Sequence, residues 1–439
     1  MVPRLAFGLY CAALALCNPA EPTFNKDVLP ILQDRCQGCH RPREAAPMSF
    51  LTYKETRPWA AAIREAVTSR KMPPWHADPA HGTFRNERRL TAAQIEILSQ
   101  WARTGAKEGD PKDAPAPRQF ASGWTIGKPD LVLDMGADYK VPAAGTVEYT
   151  YFVVPTGFSE DRWIEKVELR PGARTVVHHA VLFSRPPGSK FMKDAKSGTA
   201  FVPEPEKETN QEAEPKPGEF FALSGSHEVL SIYVPGGDAY QVRVGQARLV
   251  KAGSDLIFQM HYTARGKEEI DRTQVGIVFA KQLPKERVIN TGILNTGIKI
   301  PPGDASHRET ARVRVQTDVK LESMFPHMHL RGKAFEITAK LPGGETQTLL
   351  RIPRYDFNWQ TSYYLTEPIV LPQGTELTAV AWYDNSPNNP YNPDSTKEVH
   401  WGDQSWEEML IGFVDFAIPL DLDPTQIDTG KPAPASGVQ

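Results

Sequence analysis

The stretch TVVHHAVLF, residues 175–183, decides what kind of chain this is. Apolar and β-branched residues fill most of its nine positions, the composition of a buried strand, yet two adjacent histidines stand in the middle. Successive side chains on a strand point to opposite faces, so a buried strand here carries imidazole into an apolar layer on at least one side. A hydrogen-bond partner or a metal must offset the desolvation of that ring. His178 and His179 reach one ion together only where a twist, a bulge or a strand end turns both the same way.

Outward from this run the same texture continues. PDLVLDM, EYTYFVVP and RWIEKVELRPG precede it; QVRVGQARLV, DLIFQMHYTA, TQVGIVFA, ARVRVQTDVKLESMF, FEITAKLPGG, TQTLLRIPR and TELTAVAWYDN follow. These are short β-rich runs divided by Gly, Pro and Asp turns, the pattern of β-sandwiches, and roughly 300 such residues suit two sandwiches in tandem better than one. The expected division is 125–285 and 286–420, with the boundary near AKQLPKERVINTGI and a tail at 421–439. Residues 185–225 are polar and Pro-rich and are expected to form a long surface loop.

The other side of the opening stretch differs. KDVLPILQDR, KETRPWAAAIREAVTSR and TAAQIEILSQWARTG space their apolar residues helically, and the last opens with a Thr91/Gln94 capping box. Residues 22–107 therefore read as helical and 108–124 as a charged, Pro-rich linker. The expected fold class is multidomain: a small all-α domain of cytochrome size followed by two all-β sandwich domains.

Residues 1–20 carry one Arg before an apolar core and small residues, a secretory-signal pattern with cleavage points at Ala15 and Ala20 and weak potential for lipid attachment at Cys17. The expected location is periplasmic or secreted. No run is long enough for a bilayer span, and a net charge of −3 with no basic run argues against nucleic acid as a partner.

Of the four cysteines, Cys11 and Cys17 lie in the signal region and Cys36 and Cys39 in CQGCH. C-x-x-C-H is the haem c attachment pattern, with both thiols on the haem vinyl groups and the histidine on iron. Cys36, Cys39 and His40 take these roles, since zinc would need a further thiol or histidine pair. Met72, held before two prolines in SRKMPPWHADP, is the expected sixth ligand. Met48, His76 and His81 are the competing residues. The stretch from CQGCH to MPPWHADP resembles a bacterial cytochrome c family, in which the Met of MPPW is axial.

Five histidines of the β-rich region fall in three contexts: VVHHAVLF (His178, His179), LIFQMHYTA (His261) and FPHMHLRG (His327, His329). His-x-His on a strand places both rings on one face, close enough to chelate one ion. His261 alone would pass for a core or edge residue. His227, His307 and His400 read as surface. Imidazoles without a nearby carboxylate favour copper or zinc, and a thioether tips the choice to copper; Met409, in WGDQSWEEMLIGFVDFA, offers one, although core filling is its ordinary use.

The order His-His, Gln-x-His-Tyr, His-x-His and Glu-Met before an apolar strand resembles the copper type II monooxygenases, the family of the peptide α-amidating hydroxylase and dopamine β-monooxygenase. The resemblance lies in motifs spread over residues 126–418. It implies two tandem jelly-roll domains facing across a solvent-filled cleft and holding two copper ions. His178, His179 and His261 would bind the electron-transfer copper, and His327, His329 and Met409 the copper that activates oxygen, with Gln259 beside the first. The family's disulfides are missing here. Phe325 replaces an Arg that holds substrate in the peptide-amidating members, and Ile411 and Phe413 replace polar residues, which makes the implied pocket more apolar.

The implied activity is hydroxylation of a C–H bond of a small organic substrate with O2. Electrons would pass from haem c to the first copper and come from an external donor, ascorbate or another cytochrome. The alternative is an electron-transfer or copper-binding protein without hydroxylase activity.

Overall fold

The computed structural model describes residues 21–42, 44, 46–121, 123–203 and 227–427. The expected signal segment, most of the 421–439 tail and the far part of the 185–225 excursion lie outside the described residues.

The described residues fall into two compact units. The first holds residues up to 37, 49–72 and 90–117; the second holds 38–48, 73–89 and 118 onward. The helices of the first are short, the longest being Ala92–Arg103. Its expected capping box is formed, with Gln94 N–H donating to Thr91 Oγ1 at 3.2 Å and Thr91 N–H to Gln94 Oε1 at 2.9 Å. Phe24 packs against Tyr53 and Trp101 inside this unit.

The second unit is built on one nine-stranded sheet. In spatial order its strands are Leu131–Asp134, Gln274–Phe279, Arg162–Arg170, Gln246–Val250, Glu286–Leu294, Ile411–Pro419, Val319–His327 and Tyr363–Leu371, with Tyr240–Gln241 added beside Arg162–Arg170. All neighbours are antiparallel except Gln246–Val250 and Glu286–Leu294, which pair in parallel through Glu286↔Gln246 and Arg287↔Ala247. Two four-stranded sheets pack on this long sheet. Thr150–Pro155, Asp255–Tyr262, Val177–Arg185 and Glu228–Tyr233 cover one half, through Phe152, Ala180, Leu182, Phe258 and Met260. His307–Arg314, Glu376–Tyr383, Gly332–Lys340 and Thr346–Ile352 cover the other, through Val313, Phe335, Ile337 and Leu377. Where the halves join, buried Arg248 donates to Asp415 at 2.6 Å and Glu228 at 3.0 Å, and Asn290 and Ser323 donate to Asp415 as well. Removing one member would leave a buried charge unpaired, at a cost of about 3–5 kcal/mol.

This architecture corrects the expected fold class. A separate all-α cytochrome domain over 22–107 is not seen, and strands hold 37% of the chain. Residues 38–48 and 73–89 leave the helical unit. Trp75, Ala77 and Phe84 join the β core instead, and Phe84 bridges to Leu365. The physical reason is burial: Trp75, Ala77 and Phe84 lie between the helically spaced runs, and their apolar surface is buried in the sheet core. Nor are there two separate sandwiches in tandem, because the long sheet runs through both halves without a break.

The described part of the 185–225 excursion is a surface segment of turns without regular elements. Phe191, Met192, Ala195 and Phe201 lie against the outer face of the first small sheet, packed on Tyr151, Val153 and Phe183. Residues 204–226 lie outside the described residues. Among the described residues no helix is long and apolar enough to cross a membrane.

Candidate metal centre

The strand that opened the argument solves the two-histidine problem with a bulge. Val177 pairs with Tyr262 and His179 with His261, and the register slips between Val177 and His179. Val177 therefore faces the same inner layer as Ala180 and Leu182, although simple alternation would separate them. One extra residue in the strand turns both His178 and His179 to the outer face. On the partner strand Leu256, Phe258, Met260 and Tyr262 face inward, which leaves Gln259 and His261 on the outer face too.

The result is a tight trio. One ring nitrogen from each of His178, His179 and His261 lies within 4.8 Å of the others. His178 Nδ1 and His179 Nδ1 are 3.0 Å apart, and His261 Nδ1 is buried with no hydrogen-bond partner among the described residues. Two metal–nitrogen bonds of about 2.0–2.1 Å at right to tetrahedral angles span roughly 2.8–3.4 Å, which the His178–His179 separation matches. Gln259 donates from Nε2 to the Tyr151 hydroxyl at 2.5 Å, beside the trio.

The second set is held differently. His327 ends the Val319–His327 strand, and its Nδ1 lies 2.7 Å from Gln360 Oε1. His329 Nδ1 lies 3.1 Å from the Glu407 carbonyl. Both partners only accept, so each ring carries its proton on Nδ1. The two Nε2 atoms face each other at 3.3 Å, and the His329 ring also has the Gln404 backbone carbonyl as a hydrogen-bond partner. Their spacing again matches two metal–nitrogen bonds. Met328, between the two, is pinned by the Tyr355 hydroxyl, which accepts from its N–H at 3.0 Å and donates to its carbonyl at 2.8 Å. Met409 is half-buried; its carbonyl accepts from the Tyr383 hydroxyl, and it stands two residues before Ile411, the register partner of His327.

The two sets share walls. The Tyr149 ring stacks on His261 at 4.6 Å and lies 5.5 Å from His179 and 6.4 Å from His329. Phe357 lies 5.2 Å from His178, 5.9 Å from His261 and 6.2 Å from His329. Tyr149 and Phe357 thus each lie beside rings of both sets. Phe325 and Phe413 pack against each other and flank His327, which gives this side an apolar lining.

Burial governs the electrostatics. It pulls His178 and His327 down to about 4 and His261 to about 3, with His178 and His327 adding to the effect on His261. His179 and His329 are pulled well below the usual range, first by burial and then by neighbouring imidazoles. All five rings are neutral at pH 7, the form that ligates metal. Burial raises the Glu408 carboxyl to about 8 against the opposing backbone donors of Arg331 and His329.

The expected haem residues divide between the units. Cys36 caps the Leu29–Arg35 helix of the first, and Met72 closes the first unit after Ala60–Thr68, with its N–H on the Ala66 carbonyl. Cys39, His40, Met48, His76 and His81 belong to the second. The His40 ring donates to the Met48 carbonyl. Cys39 Sγ lies where a Cβ on Gly236 would stand, and burial raises its thiol.

Sequence reasoning missed Tyr149, Phe357, Gln360 and Glu408. Tyr149 and Tyr151 do alternate in EYTYFVV, and Glu408 adjoins Met409, so both carried a faint signal; nothing in NWQTSYY marks Gln360. His227, expected at the surface, is buried and stacked on Phe191 at 3.9 Å.

No family model matches the chain, and no curated protein matches it. Among solved structures, that of the infectious bursal disease virus Gx strain is 9% identical, covering 69% of this chain and 75% of that one, with a TM-score of 0.20. The subviral particle of that virus's VP2 is 8% identical, covering 68% and 75%, at 0.20. A putative secreted protein from Eubacterium rectale is 9% identical, covering 62% and 69%, at 0.18. Likeness at this level carries no weight for fold or function.

Proposed function

We propose that the chain is a haem- and copper-dependent monooxygenase that hydroxylates a C–H bond of a small, largely apolar substrate with O2. The observation that carries this reading is the pair of His327 and His329 Nε2 atoms, 3.3 Å apart, with Gln360 Oε1 and the Glu407 carbonyl on the two Nδ1 atoms. Beside it stands the trio His178, His179 and His261. His178, His179 and His261 would hold one copper, and His327, His329 and Met409 the other. Cys36, Cys39 and His40, contiguous in CQGCH, would hold haem c. When bound, these groups supply one-electron transfer and activation of O2.

The chain's own residues do the rest. Gln360 and the Glu407 carbonyl keep the His327 and His329 protons on Nδ1. Phe325 and Phe413 exclude water from the side of His327 where an apolar substrate would lie. His178 and His327 are half-buried while His179, His261 and His329 are buried, so each set has one ring open to approach.

The test is an anaerobic reductive titration of the copper-loaded protein, following haem and Cu(II) signals, paired with O2 uptake on a panel of small C–H substrates. Three electrons per chain and product matching O2 consumed support the reading. One electron, taken by haem alone, overturns it. Three electrons without product would favour the second reading, an electron-transfer or copper-binding protein. That reading draws its support from Phe325, Ile411 and Phe413, which replace polar positions beside the second set.

A further inference from the structure

The Glu-Met pair at 408–409 entered the functional reading through its methionine only. Glu408 is completely buried. Its Oε2 accepts from the His329 N–H at 2.9 Å and its Oε1 from the Arg331 N–H at 2.6 Å. The Arg331 side chain does not neutralise this carboxylate directly: its Nε donates to Asn385 Oδ1 at 3.0 Å and its Nη1 to the Trp406 carbonyl at 2.8 Å. Residues 407–409 therefore tie three chain groups together: the Glu407 carbonyl takes the His329 ring, and the Glu408 side chain takes the His329 backbone and that of Met409, the next residue.

We infer that Glu408 is the positioning residue of the second donor set, fixing the His329 segment and the Met409 segment in one geometry. This rests on the functional reading above, in which His327, His329 and Met409 share an ion. A side chain with two oxygens is required because backbone N–H groups converge on both of them, His329 on one and Arg331 on the other, with the Met409 N–H as a further donor. Glutamine has a single acceptor and would turn its NH2 towards one of those donors. Aspartate is a methylene too short to span the same gap. The segments it joins are almost 80 residues apart in sequence, at separations of 79 and 77 for the two bonds, so no local propensity holds them together.

The experiment compares wild type with Glu408→Gln in the full chain, titrated with copper alone. Affinity at each set is read from Cu(II) electron paramagnetic resonance, and sulfur ligation from X-ray absorption of the Cu(I) form. A lost outer partner weakens a metal site by about 10–100-fold. Glu408→Gln is expected to lose that much at the His327/His329 set and to lose sulfur scattering, while the His178/His179/His261 set keeps its affinity and signal. That retained signal also reports that the variant is folded. Should Glu408→Gln not fold, Asn385→Ala loosens Arg331 from behind, and a smaller loss confined to the second set is expected. Equal weakening of both sets, as for a residue that only supports the fold, overturns the inference, and so does an unchanged second set. The failures separate cleanly. A wild type that takes up fewer than two copper ions removes the functional reading itself. A wild type that takes up two, with the variant unaltered, removes only the role of Glu408.

Discussion

The two histidine sets solve one problem by opposite means. His178, His179 and His261 are brought together by strand pairing: a bulge turns two neighbours to one face, and cross-strand register sets the third beside them. His327 ends its strand and His329 lies two residues beyond it, each ring gripped from behind by Gln360 or the Glu407 carbonyl, and the backbone between and after them by Tyr355 and Glu408. The first set is held chiefly by its sheet, with Asn358 an outer partner of His178 alone, and the second by outer partners on both rings. Sheet register is cooperative and robust to single side-chain changes, whereas an outer-partner shell can be dismantled one hydrogen bond at a time.

The largest effect should come from removing a ligand. His329→Ala is expected to lower copper capacity from two ions to one, with the trio unaffected, as counted by metal analysis after desalting. Retention of two ions would show that the Nε2 pair is not a site. Next in size is the response to acid in the metal-free protein. Burial depresses His178, His227, His261 and His327 in the fold, so below about pH 6.5 the unfolded chain takes up protons that the folded chain refuses. Stability should fall as pH drops from about 6.5 towards 4, by on the order of 2–3 kcal/mol per ring at most. Urea midpoints across that range check this, and a flat profile would mean the rings are solvated.

Gln360→Leu sharpens the contrast between the sets. It should weaken copper binding at His327/His329 by about 10–100-fold and leave the trio alone, by the same two-site titration. Equal weakening would contradict independent anchoring. The smallest effect belongs to Tyr149, whose hydroxyl is buried with no partner among the described residues. Tyr149→Phe should raise the stability of the metal-free protein by about 1 kcal/mol, because it removes an unsatisfied polar group. A lowered urea midpoint would reveal a partner for that hydroxyl.

Much of the second unit was legible because strands advertise themselves locally: DLIFQMHYTA shows its alternation, and HMH shows which rings share a face. Less was legible where an apolar stripe could be buried in more than one way. Trp75 and Phe84 look the same in sequence whether they belong to a helical domain or to a sheet core, and only the available partner surface settles it. The surface excursion at 191–201 hides its partner for a similar reason, since four apolar residues scattered among polar ones become a cover once a sheet face lies beneath them.

By itself, then, the sequence determined the donor atoms, their order along the chain, the His-x-His spacing of His327 and His329, and the β-rich character of residues from 125 onward. Tertiary structure decided the bulge that reconciles His178 with His179, the parallel pairing that merges two halves into one long sheet, the shared walls of Tyr149 and Phe357, and the grip of Gln360 and Glu408. These depend on register and packing between segments tens to more than a hundred residues apart. Such pairings are selected by the summed burial of whole faces, a quantity that no local window of sequence contains.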